Sequence, residues 1–191
     1  MFDAGTLEEA LAMLGQLLLD RGHRFEVVAV GGGGLLLIGV IDRPTKDLDL
    51  VALRDAGVLL PASDLPPPLV EAAEDVARVL DLAPNWMNGG PTSLLRFGLP
   101  EGFLERVERR EYGGLVILLA SRFDQIHFKL YAAADDRPEG KHHVDLQRLR
   151  STHDELRAAA SWTRTHDASE GFAIMLGGVL RTFGVDDEGW R

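Results

Sequence analysis

Hydrophobic and polar residues along the stretch 27–53 change their spacing several times, and each change predicts a different element. The stretch begins with an apolar, β-branched run, which is typical of a buried strand. Four consecutive glycines then interrupt the apolar residues and permit any backbone dihedral. Near the end, acids and leucines alternate with the period of a strand. The predicted order is strand 27–30, glycine turn 31–34, apolar helical segment 35–40, polar loop 43–46 and strand 47–51.

Apolar residues at helical or strand spacing predict the remaining elements. The predicted helices are one capped by Thr6 and ended by Gly22, one at 69–82, one that opens at Ser121-x-x-Asp124, one at 141–149, and one or two within 154–183. Strands are expected at 93–97 and 115–119, with a proline-rich loop at 54–68. Arginines and glutamates interleave over 103–112, which favours a solvated, salt-bridged surface over a basic patch. Trp86 and Met87 are expected in the core.

Composition places the chain among ordinary globular proteins. Of its 191 residues, 46% are hydrophobic, enough for a sizeable core, and none is cysteine, which excludes disulfides and thiolate metal sites. A basic leader with a cleavage site and an apolar run of about 20 residues are both missing, so a cytoplasmic protein without a membrane segment is expected. The net charge of −10 argues against broad nonspecific nucleic-acid binding but leaves room for a local basic groove.

Asp47 and Asp49 carry the candidate chemistry. Residues two apart on a strand project from one face with Cα atoms roughly 6–7 Å apart, so these carboxylates can share a divalent cation. Magnesium suits such a site because it takes one or two carboxylates and keeps positions for substrate phosphates. The glycine turn exposes amides that can cradle phosphate oxygens, and Arg43 and Lys46 add positive charge. A side chain at Gly32 is expected to fill phosphate space and to disfavour a positive φ there.

Together these residues resemble the signature of the polymerase-β-like nucleotidyltransferases. The signature is carried by Gly31-Gly32, a short helix ending near Gly39, and then Arg43-x-Thr45-Lys46-Asp47-Leu48-Asp49. Within that superfamily the pattern is most similar to the bacterial minimal nucleotidyltransferases that include AbiEii-type toxins. The resemblance is strongest over 27–53 and weaker over 121–149. It implies an α+β fold with a small mixed β-sheet flanked by helices and a helical C-terminal part.

The resemblance also implies a reaction, in which an acceptor hydroxyl attacks the α-phosphate of a nucleoside triphosphate and pyrophosphate leaves. Asp47 and Asp49 would hold Mg²⁺ or Mn²⁺. The nucleotide would be bound by Gly31, Gly32, Arg43, Thr45 and Lys46. Lys129 would balance charge on the triphosphate, and Asp145 would act on the acceptor or on a second metal ion. In the family a lysine-bearing helix precedes a basic turn and an Asp-Leu-x-x-Leu helix, an arrangement that Lys129, Arg137, Lys141 and Asp145 fit.

Ordinary structural explanations exist for several of these residues. The glycine run can serve close packing alone, and Asp145 can be a helix-surface acid. Lys129 can lay its stem over the core and keep its charge in water, so its removal is expected to bury no unpaired group and to cost about 1 kcal/mol or less. The adjacent His142 and His143 point about 100° apart on a helix. Surface or packing roles are expected for them in preference to zinc, while His127 can face the cleft.

The sequence predicts one nucleotidyltransferase-like domain over 1–191, with an α/β catalytic core at 1–120 and a helical part at 121–191. Its expected function is transfer of a nucleoside monophosphate to a hydroxyl of RNA, such as tRNA, or of a protein. It would act as the toxin of a toxin–antitoxin pair, with an antitoxin as partner. The alternative is a non-catalytic module that keeps the fold and binds a nucleotide or a partner. Strand 115–119 has no acid, whereas many family members carry a third carboxylate on a later strand.

Overall fold

The structure, a computed structural model, describes residues 1–136 and 140–186. These residues form two compact units. The first unit contains residues 1–96 and 104–120, and the second contains residues 97–103 together with the described chain from residue 121 onward. The interpretation of the whole chain as a single domain stays a prediction.

The first unit is built on a six-stranded mixed sheet. Its strands are β1 (Phe25–Val30), β2 (Leu48–Asp55), β3 (Val58–Pro61), β4 (Met87–Asn88), β5 (Glu108–Tyr112) and β6 (Leu115–Leu119). The order is β3-β2-β1-β6-β5, and the short β4 pairs with the start of β2. Strand β1 is parallel to β6 and antiparallel to β2. The expected α+β class with a small mixed sheet is confirmed.

Helices flank this sheet. They are α1 (Ala4–Asp20), α2 (Gly31–Leu37) and α3 (Pro67–Leu80), and a 3-10 helix (Gly90–Leu95) and the short α4 (Phe103–Arg106) precede β5. One face of α1 buries Leu7, Leu11, Leu14 and Leu18. The helix packs against β5, β6 and α3. Gly15 permits its close approach to β5, because a Cβ there would lie 1.6 Å from the backbone oxygen of Tyr112.

Charged side chains dominate β5, whereas its neighbour β6 is apolar. Arg109 pairs with Glu111, and Arg110 lies 2.5 Å from Glu8 and 2.7 Å from Glu108. The predicted salt-bridged surface over 103–112 is therefore confirmed. Trp86 and Met87 are buried, as expected.

Two sequence predictions about strands in this unit are wrong. The loop expected at 54–68 contains β3, which pairs with β2 through a tight turn whose Ala56 (φ 46°) and Gly57 (φ 85°) are both left-handed. Positive φ at both central residues is what short hairpins favour. The strand expected at 93–97 is replaced by the 3-10 helix, because Pro91 pre-sets its first turn and cannot donate to a sheet.

Two predicted helix starts also move. Asp3, rather than Thr6, caps α1, and its Oδ1 accepts the Thr6 backbone N–H at 2.8 Å. Helix α3 begins at Pro67 rather than at residue 69. Proline is tolerated in the first turn because the N–H that it lacks would have no intrahelical acceptor.

The second unit is helical. Its helices are α5 (Arg122–Asp135), α6 (Lys141–Arg148), α7 (His153–His166) and α8 (Glu170–Thr182). Helix α5 packs against the other three. The expected cap of α5 is confirmed, since Ser121 accepts the Asp124 N–H, and Thr152 and Glu155 form a capping box on α7. No helix in the described ranges is both long and apolar enough to cross a membrane.

Candidate functional site

The glycine run contacts the second acid of the predicted pair. Helix α2 starts at Gly31, directly after β1, so the predicted turn is already helical. Gly31 has a φ of +72°, which L side chains rarely adopt. A Cβ at Gly31 would also lie 2.6 Å from Oδ2 of Asp49, well inside van der Waals contact. Both the backbone conformation and the space beside Asp49 therefore require glycine.

The next glycine packs against the loop that carries the basic part of the motif. A Cβ at Gly32 would lie 2.9 Å from Oγ1 of Thr45 and 4.0 Å from Nη2 of Arg43. Gly32 itself is not left-handed, so the expected positive φ belongs to Gly31 instead. The glycine run thus serves close packing as well as placing its backbone beside polar side chains.

Asp47 and Asp49 lie at the start of β2, on either side of the buried Leu48. Both acids are half-buried, and the leucines that alternate with them are buried, which confirms the predicted period. Asp47 directly precedes the strand. Asp49 pairs with Val30, the last residue of β1, and this register brings its carboxylate to Gly31.

The loop at 43–46, which precedes the acids, is hydrogen-bonded to Phe2 near the start of the chain. Thr45 is buried, and its backbone exchanges hydrogen bonds of 2.7 and 2.9 Å with Phe2. The Thr45 hydroxyl donates a long bond of 3.3 Å to the Asp47 carbonyl. The Phe2 ring contacts Trp86, whose carbonyl accepts the Leu48 N–H at 2.6 Å. These contacts therefore fix the backbone that carries the two acids.

Asn88 joins this edge of the sheet, and sequence reasoning missed it. Strand β4 runs parallel to β2, and its register places Asn88 opposite Asp49. The Oδ1 atom of Asn88 accepts the Gly90 N–H at 2.8 Å. A strand of two residues has no detectable period. The one local signal, Asn-Gly-Gly-Pro, marks a turn without indicating which strand it contacts.

The predicted lysine and late acid form a buried ion pair in the second unit. Nζ of Lys129, on α5, lies 2.8 Å from Oδ2 of Asp145, on α6, and the two side chains are 6% and 0% exposed. Lys129 does not hold its charge in water, and Asp145 is not a surface acid, so both structural alternatives are wrong. Removing one partner leaves a buried, uncompensated charge. The small stability cost expected for Lys129→Ala is therefore also wrong.

His142 lies near this pair, and no described residues group with it as a metal site. His142 has a buried Nδ1 with no hydrogen-bond partner among the described residues. Burial, reinforced by the charges of Lys129 and Lys141, lowers the pKa of His142 to about 4. His127 is buried, with Nδ1 2.9 Å from the Phe123 carbonyl, which is a packing role.

The structure brings most of the predicted site together within the first unit. The residues that it assembles are Gly31, Gly32, Arg43, Thr45, Asp47 and Asp49, and Lys46 extends from the same loop with an exposed side chain. Lys129 and Asp145 form their own cluster in the second unit. Arg137 lies outside the described residues. A common site for the acids and the buried pair stays a prediction.

The donor set of the first unit suits a hard cation and phosphate. Carboxylate oxygens are ligands that magnesium prefers, and a guanidinium and a hydroxyl can both donate to phosphate oxygens. Within residues 1–136 and 140–186, no three histidine, cysteine or acidic side chains group together as a metal site.

The chain matches no protein-family model, no curated protein and no solved structure.

Proposed function

We propose that this chain is a divalent-metal-dependent nucleotidyltransferase, which moves a nucleoside monophosphate from a nucleoside triphosphate to a hydroxyl of an RNA or a protein. The observation that carries the proposal is the contact between the two halves of the motif. Gly31 lies against the Asp49 carboxylate, and Gly32 lies against Thr45 and Arg43. The contacting residues lie 11 to 18 positions apart in sequence, and a strand, a helix and a loop combine to bring them together.

Asp47 and Asp49 fit a magnesium or manganese ion. Both carboxylates are half-buried, and the glycine at position 31 leaves space at Oδ2 of Asp49 that a Cβ would fill. A bound ion would neutralise charge on the triphosphate and orient the attacking and leaving oxygens. Two carboxylates from the protein leave coordination positions for phosphate, as magnesium sites commonly do.

The other residues of this unit would position the triphosphate. Arg43 presents a guanidinium beside Gly32, and a guanidinium matches phosphate geometry with two parallel donors. The Thr45 hydroxyl makes a 3.3 Å bond that a phosphate oxygen can replace. Because Thr45 is already fixed by Phe2, binding orders little additional backbone. Lys46 is exposed in the same loop and adds a mobile charge.

Lys129 and Asp145 enter the proposal as a pair. Asp145 orients the Lys129 ammonium through their 2.8 Å contact. In the enzymes that the chain resembles, such a lysine balances charge on the triphosphate. The complete burial of Asp145 favours an orienting role over direct activation of an acceptor. The biological role that the resemblance supports is the toxin of a toxin–antitoxin pair.

A non-catalytic nucleotide-binding module is the second candidate. Strand β6 is apolar throughout, so it supplies no third carboxylate to the sheet. Two carboxylates, an arginine and a glycine turn can hold a metal–nucleotide complex without turning it over. The two candidates differ in whether bound nucleotide releases pyrophosphate.

The test combines binding with transfer. Each nucleoside triphosphate, labelled at the α-phosphate, is incubated with the protein, Mg²⁺ or Mn²⁺, total RNA and a cell-protein extract. We expect label on RNA or protein and stoichiometric pyrophosphate. Asp49→Asn is expected to abolish transfer, whereas Asp42→Asn, an exposed acid in the preceding loop, retains it.

The outcomes separate the candidates. Saturable triphosphate binding without pyrophosphate release would support the binding module. Equal transfer by Asp49→Asn and wild type would remove the acids from the reaction. Absence of triphosphate binding by the folded protein would contradict both candidates.

A further inference from the structure

The amide of Asn88 is fixed in one orientation beside Asp49. Its Oδ1 accepts the Gly90 N–H at 2.8 Å, and because that partner is a donor, the accepting atom has to be the oxygen. The Nδ2 group therefore carries the two donors on the other side of the amide. Among the described residues, Nδ2 makes no hydrogen bond. The side chain is half-buried.

The backbone around Asn88 leaves it little freedom. Two residues before Asn88, the Trp86 carbonyl accepts the Leu48 N–H, and the Trp86 indole donates to the Ala73 carbonyl at 2.9 Å. A Cβ at Gly89 would lie 1.8 Å from the backbone oxygen of Ala62, so this segment is packed directly against its neighbour. A donor held this way is preorganised, and a ligand that meets it pays little ordering entropy.

Two glycines lie close to the Asp49 carboxylate. A Cβ at Gly90 would lie 2.9 Å from Oδ1 of Asn88 and 3.9 Å from Oδ1 of Asp49. A Cβ at Gly31 would lie 2.6 Å from Oδ2 of Asp49. Gly90 therefore lies beside both the oriented amide and the carboxylate, which places the Asn88 amide next to Asp49.

We propose that Asn88 binds the triphosphate, with Nδ2 donating to a phosphate oxygen of the nucleotide whose metal ion Asp49 holds. This inference rests on the proposed function. A neutral donor suits the position, because it can approach a phosphate oxygen without competing with the cation for the carboxylates. An acidic side chain there would instead repel phosphate and attract metal.

Asn88→Asp tests the assignment. The variant keeps an oxygen that can accept the Gly90 N–H, replaces the NH₂ donor with a second oxygen, and adds a charge beside Asp49. We expect triphosphate affinity, measured by calorimetry with Mn²⁺ present, to fall tenfold or more. Affinity for Mn²⁺ alone should rise, because a third carboxylate joins the pair. Asn85→Asp is the matched control, since it adds the same charge at an exposed position three residues earlier.

Asn88→Ser, which keeps an oxygen without the amide donors or a new charge, is measured alongside in case Asn88→Asp fails to fold. It should lose triphosphate affinity without gaining Mn²⁺ affinity. Wild-type triphosphate affinity in a folded Asn88 variant would overturn the assignment while leaving the proposed function intact. If wild-type protein binds Mn²⁺ but no triphosphate, the proposed function and this inference both fail.

Discussion

Two polar clusters of this protein have opposite designs. The cluster around Asp49 is half-buried, contains two acids two positions apart in sequence, and packs closely against Gly31. The cluster of Lys129 and Asp145 is buried and joins opposite charges at 2.8 Å. The second arrangement compensates its own charges, whereas the first would do so by binding the cation that we propose. The difference teaches which polar residues are expected to bind ligands and which also maintain the fold.

The largest expected effect is the loss of stability on breaking the buried pair. Lys129→Ala leaves the Asp145 carboxylate buried without its cation, so the free energy of unfolding should fall by about 3–5 kcal/mol. Urea unfolding followed by far-ultraviolet circular dichroism measures the change. Replacing both residues, as Lys129→Met with Asp145→Leu, should recover most of it. Lys141→Ala, an exposed lysine on the same pair of helices, is the control, and a loss no larger than that control would contradict the comparison.

Acid should weaken the buried cluster through His142. Its pKa is about 4 in the folded protein against an unperturbed 6.5, so the unfolded chain binds the proton first. The stabilisation is complete above pH 6.5 and is lost as the pH falls toward 4, by roughly 2 kcal/mol once solvent screening of the partly exposed ring is allowed for. His142→Gln should remove that part of the pH dependence when urea unfolding is compared at pH 7 and pH 4.5. Parallel pH profiles for the two proteins would refute the burial of the neutral ring.

In the cluster around Asp49, Gly31→Ala should lower stability through its backbone conformation and disturb the Asp49 carboxylate through a new contact. The left-handed backbone costs roughly 1 kcal/mol for alanine, and the new Cβ meets Oδ2 of Asp49 at 2.6 Å. Gly39→Ala is a matched control, because Gly39 has a φ of +73° with nothing within 4 Å of the Cβ position. Both variants should lose the stability that the backbone effect costs, Gly31→Ala should lose more because of its contact, and only Gly31→Ala should weaken Mn²⁺ binding. Equal Mn²⁺ affinities in the two variants would separate Gly31 from the carboxylate.

The smallest stability effect is expected for the acids themselves. Asp49→Asn should change the free energy of unfolding by about 0.5 kcal/mol or less, because the side chain is half-buried and the amide keeps its shape and one acceptor oxygen. Its Mn²⁺ affinity should nevertheless fall below detection in calorimetry. A large loss of stability together with unchanged Mn²⁺ binding would reverse the roles assigned to the two clusters.

Local patterns predicted the elements that carry the acids. The β-branched run before the glycines and the alternation of acids and leucines each lie within one strand, and the structure places β1 and β2 there. A positive φ within the glycine run was expected, but at Gly32 rather than at Gly31, where the structure has it. What the sequence could not give is the neighbour that each glycine approaches, since that depends on the register between strands.

Burial and partners of distant residues were not predictable in the same way. A lysine in an apolar helix is compatible with a solvated or a buried ammonium, and only the packing of α6 against α5 shows that Asp145 meets Lys129. Asn88 was overlooked for a related reason, because its two-residue strand acquires meaning only from its pairing with Asp49. Thr6 and Asp3 both suit a helix cap, and the local sequence did not show which one would accept the free N–H.

The bridge between Phe2 and Thr45 has a practical consequence for anyone who purifies this protein. Phe2 is 1% exposed, whereas the adjacent Met1 is 80% exposed. A peptide fused to Met1 would therefore begin one residue from Phe2, which is hydrogen-bonded to the loop that carries Arg43. Any nucleotide affinity measured on such a fusion would depend on the fused peptide as well as on the protein. Cleaving the fusion before titration, and comparing the cleaved and uncleaved samples, would show how strongly the first residues control that loop.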